Sequence, residues 1–204
     1  MSSQRHATVN CPYCGAEQEI MHYASVNVTM SPELKDKAVK GKLNTSQCIN
    51  CKKEINVVSG FLYHDMEKKL MINFKTIKEK SDFEEGDVTD ELKSEGYIFR
   101  IVYSIYDLAE KVSIFDSGLN DKVISDFKKS FFKMAPDLEG KTMTLIFYQV
   151  EKKLFSTKLI FAFFSHPDQP MFFKVSAKKL KHVFDLDALK NEGWLVVDNY
   201  LTPE

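Results

Sequence analysis

The sequence lacks long apolar runs, a strong excess of either charge, and any cysteine beyond its first quarter. No stretch approaches the ~18–20 unbroken apolar residues of a membrane-spanning helix, so no spanning segment is predicted. The first residues contain no apolar run typical of a signal peptide, and we expect a cytoplasmic protein with no membrane partner. A phosphate-binding glycine loop, a dinucleotide fingerprint and a nucleophile elbow are also missing, so no motif indicates an enzyme.

The formal net charge of −1 at pH 7 is unevenly distributed along the chain. Residues 1–80 contain 12 Lys and Arg against 8 Asp and Glu, whereas residues 81–204 contain 16 against 21. Neither excess reaches the strongly basic face that is typical of nucleic-acid-binding proteins. Nucleic-acid binding is therefore only an alternative hypothesis, and it would use a lysine-rich segment that contains Lys35, Lys37, Lys40 and Lys42.

The four cysteines form two C-x-x-C pairs, Cys11 with Cys14 and Cys48 with Cys51. Each pair predicts a tight turn with both sulfurs on one side, and two such turns supply the tetrahedral shell that Zn²⁺ prefers. The alternative is redox-active thiols, but a redox C-x-x-C usually begins a helix in a βαβ pattern, which neither pair does. We therefore predict one structural Zn²⁺. Four sulfurs leave no open position for catalysis at the metal.

Residues beside the cysteines support the same prediction. Gly15 can adopt a positive φ, which lets backbone amides turn toward sulfur. Lys52 and Lys53 follow the second pair directly and would offset the negative charge of four thiolates around one Zn²⁺. His22 and His64 are alternative ligands, but four sulfurs leave no vacancy for either of them.

Hydrophobic periodicity predicts an α+β protein, and 44% hydrophobic residues with 16 Phe suffice for a packed core. In the first part we predict a short helix after Ser31, and strands over residues 19–29, 55–63 and 70–77. The acidic residues 81–91 are the expected boundary between two parts. The predicted parts are a zinc-ribbon-like module with a helical insertion over residues 1–80, and an α+β domain over residues 92–204.

Periodicity also organises the second part. Apolar residues spaced by three and four predict a four-turn helix over residues 98–112, followed by a second helix over residues 119–131 with Pro136 beyond its end. Two β-rich runs then predict a hairpin with its turn at residues 151–153, inside a C-terminal antiparallel sheet. The remaining predictions are a turn between Pro167 and Pro170, a strand over residues 171–175, a helix over residues 176–190 and a strand over residues 194–197.

Several of these segments resemble the CpXC-domain family of bacterial proteins. The resemblance covers roughly residues 8–135 and rests on residues 11–15, 26–29, 32–35, 41–45, 61–65, 100–102, 110–111, 114–116 and 119–121. The chain departs from the family pattern at Ile49, where proline is usual, and at Lys52, where glycine is usual. The resemblance implies the metal site and the order of the segments, and it carries no activity with it.

Polar residues outside the cysteines are weaker candidates for a ligand-binding or functional cluster. His64 and Asp65, beside Tyr63, could form a proton-shuttling pair and make the protein an enzyme. However, neighbouring residues of a strand face opposite sides, and no nucleophile stands beside the pair. We therefore favour a turn role for Asp65 and surface packing for His64.

The last candidates are also best explained by structural roles. Asn27 and Asn44 could hydrogen-bond to the backbone of the cysteine turns, but we favour roles in other turns and in helix caps. Arg100, Glu110 and Lys111 lie on or near the predicted long helix, and we favour an ion pair or a contact to the N-terminal part over catalysis. A phenylalanine-rich run predicts a buried sheet or, if it is partly exposed, a homodimer interface; it contains Phe161, Phe163, Phe164, Phe172 and Phe173. We expect a zinc-stabilised, non-enzymatic binding or regulatory module with an unknown protein partner.

Overall fold

The computed structural model describes residues 2–76, 90–134, 144–164 and 169–197. These residues form the predicted α+β structure, which has four α-helices and three sheets. The helices are α1 (Glu33–Val39), α2 (Asp90–Ser94), α3 (Ile105–Asp116) and α4 (Asp121–Lys133). The strands are β1 (Ser3–Asn10), β2 (Glu17–Asn27), β3 (Thr45–Gln47), β4 (Glu54–Asn56), β5 (Phe61–Asp65), β6 (Leu70–Phe74), β7 (Ile98–Val102), β8 (Thr144–Lys153), β9 (Ser156–Phe164), β10 (Pro170–Ser176) and β11 (Leu195–Val196).

The chain divides into two compact units. Unit 1 comprises Met1–Leu108 and Lys190–Val197, and unit 2 comprises Ala109–Leu189 and Asp198–Glu204. The division predicted at residues 81–91 stays a prediction, because residues 81–89 lie outside the described residues. Within the described ranges, each helix is too short or too polar to span a membrane.

Unit 1 is built on a six-stranded mixed sheet in the order β1-β2-β5-β6-β7-β11. Strands β1 and β2 form a hairpin, as do β5 and β6, whereas β5 is parallel to β2 and β7 is parallel to both β6 and β11. A separate two-stranded hairpin, β3–β4, carries the second cysteine pair in its turn. The strand predicted over residues 55–63 is therefore two strands, β4 and β5, and β1 was not predicted at all.

The four-turn helix predicted from residue 98 is wrong at its beginning. Residues Ile98–Val102 are strand β7, all five of whose residues are buried, and helix α3 begins only at Ile105. Since all five residues are buried, both faces of β7 are covered, and such a strand shows a continuous apolar run that mimics part of a helical stripe. Arg100 consequently lies in the central sheet and is 0% exposed, with its guanidinium donating to the Phe99 carbonyl at 2.8 Å.

Unit 2 contains the predicted C-terminal antiparallel sheet, with its three strands in the order β10-β9-β8. Its core joins this sheet to helix α4 through aromatic contacts, such as Phe127 with Phe161 at 4.8 Å between ring centroids. Phe131 stacks on Phe173 at 5.1 Å. The phenylalanine-rich run is thus mostly core, but Phe172 lies on the exposed side of β10. Pro136 and Pro167 lie outside the described residues.

The helix predicted over residues 176–190 is replaced by two short 3₁₀ helices, Ala177–Lys179 and Asp187–Leu189. The backbone turns between them at His182, whose φ is +63°. Asn120, which precedes α4, donates its amide to the Val183 carbonyl at 2.7 Å and so fixes this irregular path. Local periodicity gives no information about a contact between residues 63 positions apart. The helix over residues 176–190 was therefore predicted wrongly.

Four charged side chains are buried in unit 2 as two ion pairs. The Lys128 ammonium lies 2.9 Å from both carboxylate oxygens of Glu110, and the Lys111 ammonium lies 3.1 Å from Asp121. Glu110 also accepts the Phe147 amide of β8 at 2.6 Å. Because a charge removed from water is costly unless it is paired, these pairs specify how α3, α4 and β8 pack.

Candidate metal centre

The first cysteine pair occupies the turn of the β1–β2 hairpin. Cys11 follows β1 directly, and its amide donates to the Ala16 carbonyl at 2.9 Å. The Gly15 amide donates back to the Cys11 carbonyl at 2.9 Å, with a φ of +72° at Gly15. These two bonds close a tight turn that holds Cys11 and Cys14 on one side of the backbone.

The second pair occupies the turn of the β3–β4 hairpin and repeats the same backbone pattern. The Cys48 amide donates to the Lys53 carbonyl at 2.9 Å, and the Lys52 amide donates to the Cys48 carbonyl at 3.1 Å. Lys52 occupies the position equivalent to Gly15 and has a φ of +60°. The two turns are therefore built alike, although the second has a lysine where the first has a glycine.

The fold brings the four sulfurs into one cluster. All four lie within 4.8 Å of one another, with 3.7 Å between the sulfurs of Cys11 and Cys51 and 3.6 Å between those of Cys14 and Cys48. A tetrahedron with Zn–S bonds of about 2.3 Å has edges of about 3.8 Å, so the spacing suits a single tetrahedral ion. The separations are far longer than a disulfide bond of about 2.05 Å.

Hydrogen bonds from the turns prepare two of the thiols to ionise. The Ala16 amide is the main reason that the pKa of Cys14 falls to about 6. The Cys51 amide donates to the Cys48 sulfur at 3.4 Å and lowers the pKa of Cys48. The pKa of Cys51 is raised to about 11: the Lys53 amide lowers it, but burial and the neighbouring thiols outweigh that effect. Ionisation of one thiol thus opposes ionisation of its neighbour, and a cation that binds thiolates removes this opposition.

The lysines expected to offset the thiolate charge have other contacts within the turns. The Lys52 ammonium donates to the Ile49 carbonyl at 2.7 Å. The Lys53 ammonium lies 4.7 Å from the ring centroid of Tyr13, which reaches from the first turn to the second. Both remain exposed charges beside the cluster, so their effect on it is that of partly screened cations.

Gln18 is a site residue that the sequence did not reveal. It is buried on β2, where its amide nitrogen donates to the Gln47 carbonyl at 3.2 Å and its oxygen accepts the Ile49 amide at 2.9 Å. The side chain thus joins the first hairpin to the second cysteine turn. Gln18 and Ile20 are two positions apart on β2, so they share the buried face of the strand. This spacing was visible in the sequence, but a glutamine in such a pattern usually faces solvent.

The positive φ at Gly15 and Lys52 predicts opposite effects of two substitutions. We expect Gly15→Ala to destabilise the protein by ~1 kcal/mol, because a side chain in the left-handed region costs roughly 1–2 kcal/mol before the entropy of the unfolded chain is counted. The surroundings of Gly15 are open, so no collision adds to this cost. We expect Lys52→Gly to be neutral or to stabilise by up to ~1 kcal/mol. Urea denaturation measures both.

Gly193 is the matched control for these variants, because its surroundings are equally open and it has no positive φ. Gly193→Ala should therefore not destabilise the protein. If Gly15→Ala were as stable as the parent chain, or if Lys52→Gly were clearly less stable, the strain argument would be wrong.

The two histidines considered as alternative ligands lie elsewhere in unit 1. The His22 Nδ1 is 3.2 Å from the Ser59 hydroxyl, which also accepts the Asn44 side-chain amide at 2.9 Å. The His64 Nε2 is 3.2 Å from the Tyr97 hydroxyl. Among the described residues, the cluster able to hold a metal consists of the four cysteines without a histidine.

The Tyr63-His64-Asp65 segment lies on β5, where burial alternates along the strand. Tyr63 and Asp65 are buried on one side, whereas the half-buried His64 faces Tyr97 on the other. Asp65 accepts the Lys68 amide at 3.1 Å in the β5–β6 turn and pairs with its ammonium at 3.2 Å. The strand thus places His64 and Asp65 on opposite faces.

The two candidate asparagines act on the backbone. Asn27 accepts the amides of Thr29 and Met30, both at 3.1 Å, which is the bonding of a turn. Asn44 accepts the Tyr23 amide of β2 at 2.8 Å. None of these contacts reaches a cysteine sulfur, and the Asn27 side-chain amide donates to the Met66 sulfur at 3.0 Å. Arg100, in β7, lies in a different part of the sheet from the cysteine turns.

His64 predicts a pH dependence of stability. Burial lowers its pKa below the ordinary value, so the unfolded chain takes up its proton at a higher pH than the folded chain does. The stability contributed by neutral His64 is complete above about pH 6.5 and is lost as the pH falls through the lowered folded pKa. We expect His64→Gln to lose less stability than the parent chain between pH 7.5 and about pH 5.5. Urea denaturation at several pH values tests this, and equal pH slopes would contradict it.

Comparison with known proteins agrees with the geometry of the cysteine turns. A family model described as CpXC protein matches residues 9–128, a range that includes both cysteine pairs. No curated protein matches the chain, and no solved structure does. Since the match spans more than half of the 204 residues, the chain belongs to the CpXC protein family.

Proposed function

We propose that the protein is a zinc-stabilised binding module, in which Cys11, Cys14, Cys48 and Cys51 hold one structural Zn²⁺. The observation that carries this proposal is the cluster of four sulfurs within 4.8 Å, two of whose separations match the edge of a tetrahedral site. Tetrahedral sulfur ligation is typical of zinc and of iron–sulfur centres, and two C-x-x-C turns are a common zinc arrangement.

The ion would supply stability that the local fold lacks. Strands β3 and β4 have three residues each, and an isolated two-stranded hairpin of this size is not stable in water. Among the described residues, the buried apolar ones around the cluster are few, namely Cys11, Cys48 and Ile55. A metal that joins the turns of β1–β2 and β3–β4 would replace the missing core, with an apparent binding free energy of about 10–16 kcal/mol.

A binding role accounts for these features better than catalysis. A four-sulfur shell has no open position for substrate or water, so the metal would not act as a Lewis acid. The enzyme alternative depends on His64 and Asp65, which face opposite sides of β5. For the nucleic-acid alternative, Lys40 is paired with Asp36 at 2.7 Å, which reduces the positive charge of helix α1. An unknown protein partner or a second copy of this chain is the partner we propose.

Metal analysis of the purified chain tests the proposal. We expect one Zn²⁺ per chain by elemental analysis and native mass spectrometry, and a tetrahedral all-thiolate absorption spectrum after replacement by Co²⁺. Absence of metal, or iron in its place, would contradict the zinc assignment. Binding to DNA or RNA with a steep salt dependence would instead favour the nucleic-acid alternative. Analytical ultracentrifugation tests the homodimer.

A further inference from the structure

A groove in unit 2 has the form of a binding site that is separate from the cysteines. We call it the tip groove: it lies between the turn of the β8–β9 hairpin and residues 177–185, and its volume is about 610 Å³. This volume falls within the range of about 300–1,000 Å³ that is typical of ligand sites. Ser156 and Thr157 add hydroxyl groups, and Asp185 adds one carboxylate, to a lining that is otherwise apolar or basic.

Large apolar side chains line the tip groove and remain in water. Leu154 and Phe155 form the two-residue turn between β8 and β9 and are 89% and 86% exposed. Phe184 lines the groove from residues 177–185 and is 52% exposed. Single exposed apolar residues are ordinary, but three of them around one concave surface indicate an interaction site.

The wall formed by residues 177–185 is held in place by the helix beside it. Asn120 donates its backbone amide to the Val183 carbonyl and its side-chain amide to the Asp185 carbonyl, both at 2.7 Å. Asn120 is itself buried and accepts the amides of Lys122 and Val123 at the start of α4. The groove therefore exists before a partner arrives, which lowers the entropy cost of binding.

The charge around the tip groove is positive. Residues 151–155 and 177–185 together contain five lysines against two acids, Glu151 and Asp185. Lys153, Lys178 and His182 line the groove together with one acid, Asp185, whose Oδ2 lies 3.8 Å from the His182 Nδ1. Glu151 pairs with Lys153 and with Lys174. The lysines of residues 177–185 therefore supply most of the potential that attracts an anionic partner.

We propose that the tip groove binds an acidic peptide segment of a partner protein and takes one of its large apolar side chains. The apolar walls suit the side chain, and the lysines suit the flanking carboxylates. A groove is filled by a convex chain segment, whereas a flat bilayer covers protrusions, so a peptide fits this surface better than a membrane does. The peptide would be the partner of the proposed binding module. The peptide site rests on the proposed function only in taking the chain to be non-enzymatic.

Selection of peptides on the full chain tests the inference. We expect a random dodecapeptide library to yield sequences rich in Asp and Glu around one Phe, Trp, Leu or Ile. Phe155→Ser should weaken binding of the selected peptides by about tenfold or more, because it removes an exposed ring that the peptide would cover. Lys178→Glu should weaken binding similarly at low salt and less at high salt. Fluorescence anisotropy of labelled peptides measures each affinity.

Two exposed positions outside the tip groove provide matched controls. Met171→Ser replaces another exposed apolar residue of unit 2, and Lys37→Glu reverses another exposed lysine, so both should bind the peptides like the parent chain. The inference would be overturned by a failure to enrich peptides, by peptides without acidic residues, or by equal losses in the controls. It would also be overturned if vesicles of phosphatidylcholine and phosphatidylserine in a three-to-one ratio bound the chain through Phe155 while peptides did not.

The two proposals fail independently. The tip groove lies in unit 2 and the cysteine cluster lies in unit 1. A chain without zinc that still selected acidic peptides would overturn the metal assignment alone. A chain with one zinc that selected no peptides would overturn the peptide site alone.

Discussion

Cys48→Ser should abolish metal binding and unfold the region around the two cysteine turns. Cys48 is fully buried, and its loss would leave three sulfurs and a buried hydroxyl that binds Zn²⁺ weakly. A zinc contribution of about 10–16 kcal/mol equals or exceeds the whole stability of most domains, about 5–15 kcal/mol. We therefore expect less than one Zn²⁺ per chain and rapid proteolysis within residues 2–76. Elemental analysis and limited proteolysis measure the two effects. Cys11→Ser should have the same two effects as Cys48→Ser.

Ile49→Ser is the matched control, because it places the same residue in the same turn at a side chain that is 64% exposed. This variant should keep its metal and its resistance to proteolysis. A Cys48→Ser chain that retained one Zn²⁺ and melted at the parent temperature would overturn the metal site.

Lys128→Met should cost about 3–5 kcal/mol of stability. The substitution leaves the Glu110 carboxylate buried without the ammonium that contacts both of its oxygens, and removal of one partner of a buried ion pair is strongly destabilising. The double variant Lys128→Met with Glu110→Gln should recover part of this loss. Gln removes the charge and can still accept the Phe147 amide. Urea denaturation of the single and double variants measures the difference between their free energies of unfolding.

The neighbouring Lys129→Met serves as the control for this series. Lys129 is exposed on the same helix, so its replacement should change stability by less than about 0.5 kcal/mol. Equal stabilities of the Lys128 and Lys129 variants would show that the buried pair contributes nothing specific. A double variant less stable than Lys128→Met alone would show that the carboxylate is needed for another reason.

The candidate metal ligands could be predicted because their chemistry depends on short spacings. Two residues between cysteines place both sulfurs on one side of a turn, and this holds whatever the rest of the chain does. Gln18 could not be predicted in the same way. Its bonds to Gln47 and Ile49 join residues about thirty positions apart, and a polar residue in a strand carries no sign of such a partner.

Strand β7 shows why periodicity was insufficient in the middle of the chain. Ile98, Ile101 and Ile105 fit a helical stripe, but the first two lie in a strand that β6 and β11 enclose. The partner β11 comes from residues 195–196, nearly one hundred positions later. All five residues of β7 are buried, and burial on both faces removes the alternation that identifies a strand. Arg100 was placed wrongly for the same reason.

The sequence by itself determined the four candidate ligands, the α+β class, the C-terminal hairpin and the acceptance of a positive φ at Gly15, since each depends on residues within a few positions of one another. Tertiary structure alone decided the clustering of all four sulfurs, the burial of the Lys128–Glu110 pair and the tip groove. These features join segments that are distant in the chain. Their stability comes from surface removed from water and charge paired away from it, quantities that exist only once the segments have met.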